Sequence, residues 1–384
     1  MFSAPPVEGI SMESKKFSLT AATISAADFL RKPFRKFQGI PGVETLDGKN
    51  LFVVWYANDE PGEGPGNYVI LARSSDNALS WREVLHIVPP DGESRVYDPV
   101  IWFDPLGRLW LFWAQCHSTY LWDSFDGKAG VWAAVCNDPS GEELKWSVPR
   151  RIADGIMMNK PTVLKDQSWA LPVSVWALRP DLLVPETMPQ AFPNVLFSRD
   201  NGENFAWRRG PDVPERTFDE HMIIEQSDGR LRLFVRTGYG IGSAVSTPDG
   251  GEWQDIGDSG LGGPNSRFAV RRLRSGRLCL INHQIPHRLP QEKLTSCREN
   301  LTAWLSDDDG ASWYGRMLID GRKDVSYPDF AEAGDGFIYL VHDHDRTGCG
   351  EILLSRFKED DIAAGRIVSP GAYCRMVVSA LADR

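Results

Sequence analysis

Short apolar runs recur along this chain at a nearly even spacing, most of them entered through a turn carrying glycine beside Asp, Ser or Leu. They read LFVVWYA from Leu51, RLWLFWA from Arg108, SWALPVSVW from Ser168, RLRLFVR from Arg230, RLCLIN from Arg277 and FIYLVHD from Phe337. Runs this short, rich in branched and aromatic residues and bounded by turn formers, predict buried strands. Ahead of each run stands a shorter segment that begins at proline or a polar residue. These are Ile40-Pro41-Gly42-Val43, Asp98-Pro99-Val100, Asn159-Lys160-Pro161-Thr162, Glu220-His221-Met222, Ser266-Arg267-Phe268 and Tyr327-Pro328-Asp329. A third strand, a turn and a more polar fourth strand follow each run. Pro41, Pro99, Pro161, His221, Arg267 and Pro328 mark equivalent points of an evenly repeated unit, with one shorter interval between His221 and Arg267. Four strands per unit at this period predict an all-β, six-bladed β-propeller of four-stranded antiparallel blades, one domain over 1–384. The segment Lys16–Ile24 alternates like a strand and is expected to complete the last blade, closing the ring.

The turn between the third and fourth strands carries a sharper pattern, S-x-D-x-G-x-x-W. Ser306-Asp308-Gly310-Trp313 is the best copy. Ser74-Asp76-Ala78-Trp81 and Ser198-Asp200-Gly202-Phe205 each change one position, and Ser246-Gly250-Trp253 has Pro248 where Asp belongs. Ser and Asp can bond the turn's own backbone, Gly takes a positive φ, and Trp covers the blade's apolar face. These residues are therefore assigned to the scaffold rather than to a site. The turns resemble the Asp boxes, or BNR repeats, of the sialidase superfamily. The phrases GEGPGNYV, MMNKPTVL, PNSRFAVRRLRSGRL and LTAWLSDDDGASW are similar to bacterial proteins of that kind, over roughly residues 35–350.

Composition adds limits. The net charge of −10 speaks against nucleic acid as a partner, though it leaves room for a locally basic pocket. No apolar run approaches the length of a membrane span, so no membrane partner is expected. The first thirty residues lack a basic region followed by an apolar one, which makes a cytoplasmic location the default expectation; a removed leader would make it secreted or periplasmic. The six cysteines show neither zinc spacing nor a disulfide framework, and no cofactor is expected. The 14 tryptophans are many for 384 residues; most are expected in the core, with Trp55, Trp122, Trp176 and Tyr56 as candidates for stacking on sugar rings.

In a propeller the innermost strands line the axis, and ligands bind at one mouth of it. The starts of those strands bring together Gln38-Gly39, Tyr97-Asp98, Asn159-Lys160, Glu220-His221, Ser266-Arg267 and Tyr327-Asp329. Nearby strand ends add Arg236, His283, His342, Asp343, His344 and Arg346. Such a ring is either a buried polar cluster that holds the blades together or a site for binding and proton transfer. His342 and His344 share one strand face, but two ligands make no metal site and spacing supplies no third, so no metal is expected.

The resemblance implies specific roles. Sialidases hold the substrate carboxylate with an arginine triad and use a tyrosine nucleophile assisted by Glu, with an Asp acid/base; the tyrosine is an exception among glycosidases. By that resemblance Tyr327 is the nucleophile, Glu220 its partner, Arg236 the second arginine and Arg267 a candidate third. Asp329 completes the catalytic candidates, and Asp59 is a candidate acid. The first arginine belongs to an R-I-P motif, and here the aligned residues are Gly39-Ile40-Pro41, so it is missing. A carboxylated sugar, sialate- or uronate-like, would then rest on Arg236, Arg267 and Lys160, with Asn159, Asp98, Arg346 and His117 as further binding candidates. Other sialidase-like propellers cleave uronate-linked glycans by elimination, for which His221 and His117 are candidate bases and Tyr327 a candidate acid. Three readings follow: an exo-glycosidase for an acidic glycan, a lyase with a histidine base, and a glycan-binding propeller without catalysis. Each has a carbohydrate partner.

Overall fold

The computed structural model describes residues 19–117, 125–285 and 297–381. Its strands form six antiparallel sheets, each built from consecutive strands. The blades run over residues 37–88, 94–154, 162–208, 222–261, 269–320 and 325–379. Each expected apolar run is the second strand of its blade. Leu51–Asn58 is buried along its whole length, as is Trp169–Ser174, because neighbouring blades cover both faces. Aromatic packing fills the seams, where large rings prefer edge-on contact. Trp102 meets Trp169 edge-on with ring centroids 4.9 Å apart, and Trp110 meets it likewise at 5.6 Å.

The N-terminal segment corrects one expectation. Thr23–Ala26 pairs antiparallel with Arg82–Val88, so it adds a fifth strand to the first blade and does not complete the last. The physical reason is edge availability. Tyr373–Ser379 already pairs with Glu351–Phe357 on the outer edge of blade six, whereas the outer edge of blade one is open to a further strand. Residues 16–18 of the expected segment lie outside the described residues. First and last blades are joined instead by a shared apolar cluster, with Val43, Trp55, Tyr339 and Leu354, and by hydrogen bonds. Ile40 N–H donates to Asp343 Oδ2 at 2.7 Å, and Gln38 Nε2 to the carbonyl of Gly350 at 2.6 Å.

The repeated turns are built as expected. Ser306 Oγ accepts from Gly310 N–H at 2.9 Å, and Asp308 Oδ1 accepts from Ser312 N–H at 2.8 Å, with Gly310 at φ +83°. Hydrogen bonds from Ser312 hold the Asp308 carboxyl down to about 2. Ala78 takes the glycine position of its turn at φ +68°, so the conformation is imposed there by the Ser74 and Asp76 bonds. In the degenerate copy the frame slips by one residue: Thr247 and Asp249 bond each other at 2.7 Å, and Pro248 lies between them.

Candidate active site at the mouth of the propeller

Three inner strands break register in the same way, between Gly39 and Gly42, Tyr97 and Val100, and Ser326 and Asp329. Within these bulges Ile40, Asp98 and Tyr327 take positive φ values of 57°, 49° and 53°. A bulge of this kind re-aims a side chain, and non-glycine residues occupy the region only where their surroundings compel them.

Tyr327 lies at the centre of the resulting cluster. Its hydroxyl donates to Glu220 Oε1 at 2.9 Å, and Arg236 Nη1 donates to the same carboxylate oxygen at 2.7 Å and to the tyrosine oxygen at 3.1 Å. Glu220 Oε2 is buried and carries no hydrogen bond among the described residues. Burial pushes the phenol pKa of Tyr327 up, with the Glu220 charge adding to it, while Arg236, Arg298 and Arg346 pull the other way. Arg236 is itself held by Asn265, whose side-chain oxygen accepts from Nε at 2.5 Å and whose carbonyl accepts from Nη2 at 2.9 Å. Its guanidinium stacks on Phe218, 4.5 Å from the ring centroid, and Trp176 supports Phe218 edge-on at 5.1 Å.

Three further arginines face the same ring, Arg267 among them at 5.9 Å from its centroid. Arg298 lies 5.4 Å from its centroid and donates to the Asn265 carbonyl at 3.2 Å. Arg346 lies 4.2 Å from it, with Nε on Asp343 Oδ2 at 2.9 Å and Nη2 on Ser326 Oγ at 2.9 Å. Gly39 explains how Arg346 arrives there. A Cβ at position 39 would stand 2.8 Å from Arg346 Cδ, so the residue that replaces the missing arginine also clears the way for another. At the rim, Glu63 Oε2 accepts from Arg95 Nη2 at 3.1 Å, and its other oxygen is 3.9 Å from Arg346. Asp98 is buried below, and burial raises its pKa well above the usual range, with Glu63 and Glu220 adding repulsion.

A second polar layer lies deeper. Lys160 Nζ donates to the carbonyls of Val43 and Phe330 and pairs with Glu44 at 3.0 Å and Asp329 at 3.2 Å. Those carbonyls stand further along the same strands than Ile40 and Tyr327, three positions down the axis from the mouth in each case. Asp329 Oδ2 also accepts from Val43 N–H at 2.9 Å, and Arg267 lies 4.0 Å from Oδ1. Lys160 and Asp329 thus tie blades one, three and six along the axis. Asn159 and His221 do the same for blades three and four: Asn159 Nδ2 donates to the His221 carbonyl at 3.0 Å. Both ring nitrogens of His221 face backbone carbonyls, of Asp219 at 2.8 Å and Asn194 at 2.7 Å, and burial lowers its pKa to about 4.

Of the residues singled out in the sequence, the mouth therefore gathers Tyr327, Glu220, Arg236, Arg346 and Asp98. Lys160, Asp329, Asn159 and His221 belong to the deeper layer and the blade seams, and Arg267 spans the two, 5.9 Å from the Tyr327 ring centroid and 4.0 Å from Asp329 Oδ1. His117 ends its strand exposed, 3.7 Å from Asp126. Trp55 is buried with Nε1 bonded to Gln38 Oε1 at 3.1 Å, Tyr56 is buried beside Tyr97, and Trp122 lies outside the described residues. Asp59 turns to the Tyr68 hydroxyl at 3.4 Å, while Glu63 of the same loop faces the arginines. Sequence reasoning missed Arg298, Asn265, Glu63 and Arg95. None of them stands in the ring position from which candidates were drawn, and Asn265 in P-N-S-R was the nearest signal.

A family model described as a BNR repeat-like domain matches residues 49–340. Among curated proteins, Anhydrosialidase from Macrobdella decora is 24% identical over 166 residues. That match takes in 38% of this chain and only 21% of the leech protein's length. Among solved structures, a Hadza microbial sialidase aligns with a TM-score of 0.61 at 17% identity, over 79% of this chain and 63% of that one. The intramolecular trans-sialidase from Ruminococcus gnavus, in complex with oseltamivir carboxylate, aligns with a TM-score of 0.64 at 14% identity, over 91% and 99%. At such identities the structural likeness is one of fold.

Proposed function

The chain belongs to the sialidase-like BNR-repeat family, and on that footing we propose that it is an exo-glycosidase for glycans ending in a carboxylated sugar. The observation that carries this reading is the bonding of Tyr327 Oη to Glu220, with Arg236 bridging both. In the first step Glu220 takes the phenol proton as Tyr327 Oη bonds to the anomeric carbon. The glycosidic C–O bond breaks, and the leaving oxygen takes a proton from a carboxylic acid, a role we assign to Glu63. Water then adds to the anomeric carbon, Glu63 takes a proton back, and the tyrosine leaves with the proton from Glu220. A neutral phenol suits this attack because a carboxylate on the sugar would repel an anionic nucleophile.

Arg236, Arg298 and Arg346 supply the complementary charge. Together with Arg267 they place four guanidinium groups around one aromatic ring, which favours a carboxylate held beside the reacting carbon, and planar forks match it in two-bond fashion. The relatives support the reading as far as their names go, since they are sialidases and one holds oseltamivir carboxylate.

The test is a panel of sialosides and uronate-terminated oligosaccharides, read by mass spectrometry and ultraviolet absorbance. Release of a free or anhydro sugar without an unsaturated chromophore supports attack at the anomeric carbon. An unsaturated uronate product would replace this reading with elimination, and binding without turnover would replace it with a lectin-like role.

A further inference from the structure

Outside the mouth, one hairpin collects three side chains of metal-binding type. His344 closes the second strand of blade six, Glu351 opens the third, and Cys349 lies in the connection between them. His344 Nδ1 is 2.8 Å from Glu351 Oε2 and 3.4 Å from Cys349 Sγ, and the three ligand atoms lie within 4.8 Å of one another. We propose that His344, Cys349 and Glu351 form a binding site for a zinc-like divalent cation.

The geometry suits such an ion. Ligand bonds of about 2.0–2.3 Å in a tetrahedron put neighbouring ligand atoms roughly 3.3–3.7 Å apart, so His344 and Cys349 already stand at that spacing and the Glu351 carboxylate would turn to reach it. The donor set of thiol, imidazole and carboxylate selects a borderline or soft cation over magnesium or calcium, which prefer oxygen alone. Cys349 is exposed, so an ion can enter from solvent, and three protein ligands leave a fourth position for water. The loop is held in shape without the ion: Asp345 accepts from the backbone N–H groups of Gly348 and Cys349, each at 3.1 Å.

Arg322 is the competing cation, donating to Glu351 Oε2 at 2.8 Å. It keeps its own anchor on Asp320, with Nη2 to Oδ2 at 2.8 Å, so it does not depend on Glu351. Both His344 and Arg322 contact Oε2, and Oε1 can take over the guanidinium when Oε2 turns to an ion. The hairpin also carries Arg346, so a bound ion would brace the segment that delivers this arginine to Tyr327.

Cobalt(II) titrated into the reduced full chain tests the site. Saturation of a near-ultraviolet thiolate-to-cobalt charge-transfer band at about one equivalent is expected, with zinc displacing the cobalt. The band should persist in Cys297→Ser and vanish in Cys349→Ser, and His344→Ala should weaken cobalt retention roughly tenfold or more. No thiolate band in the unaltered chain, or a band that survives Cys349→Ser, would overturn the proposal. Circular dichroism of each variant confirms that the fold is retained.

Discussion

Arg346 occupies the space that any side chain on residue 39 would need, its Cδ standing 2.8 Å from the Cβ that Gly39 lacks. A single glycine thus converts a missing arginine on the first blade into a place for one delivered by the sixth. Arg346→Ala is expected to raise KM for carboxylated substrates roughly 10- to 100-fold, the value of about 1.5–3 kcal/mol for a charge-assisted contact. Gly39→Arg alone should also impair binding, because two guanidinium groups would then compete for one place. Combining the two changes should recover part of the loss. Steady-state KM across the three variants checks this, and equal losses on neutral sugars would dismiss the carboxylate clamp.

Tyr327→Phe removes one oxygen and leaves the Arg236–Glu220 pair at 2.7 Å intact. Turnover should fall by at least the roughly 10²–10⁴-fold associated with positioned proton transfer, with little change in thermal midpoint. Glu220→Gln should fall similarly. Retained turnover in the phenylalanine variant would exclude the tyrosine as nucleophile.

Lys160 is expected to matter for stability rather than for substrate. Lys160→Met leaves Glu44 and Asp329 facing each other without their shared cation. Breaking a buried pair in this way costs about 3–5 kcal/mol. Denaturant unfolding measures the loss. A variant that unfolds normally but binds acidic sugars poorly would move Lys160 into the site.

His283 provides a pH test. It is buried with Nε2 on the Val325 carbonyl at 2.8 Å, and burial lowers its pKa to about 4. An unfolded chain would titrate this histidine near 6.5, so between about 6.5 and 4 the unfolded state binds the extra proton. Its contribution is therefore present above pH 6.5 and lost as the pH falls towards 4. The stability difference between the native chain and His283→Gln should shrink across that window, by an amount on the order of 3 kcal/mol. A difference independent of pH would mean that the folded and unfolded chains bind this proton equally, so that burial does not disfavour the charged ring.

Ser306→Ala strands the Gly310 N–H in a buried turn. The loss of that bond should cost about 1 kcal/mol or somewhat more and should leave KM unchanged. Thermal unfolding and kinetics on the same sample separate the two effects.

Local patterns carried the architecture. Six apolar runs, the turns that lead into them and the Ser306–Asp308 box were legible because strand burial and turn chemistry depend on residues within a few positions of one another. Tyr327 and Glu220 were legible too, as polar residues at inner-strand starts in a repeating frame, and Arg236 at the end of the strand that follows. The destination of Thr23–Ala26 was not, because an edge strand joins whichever outer edge is open, and that depends on Tyr373–Ser379 at the far end of the chain. Nor could the frame separate Tyr327 from Lys160. Both begin inner strands, yet one is lifted to the mouth by a bulge and the other reaches down to carbonyls of distant blades. Arg298, Asn265 and Glu63 come from loops and strand connections, where no periodicity constrains the direction of a side chain. A six-bladed propeller with a polar axis follows from the chain alone, since periodicity is a local property that survives without any knowledge of contacts. Which polar residues meet at the mouth follows only from the folded whole, because the contacts that sort them join blades remote from one another along the chain.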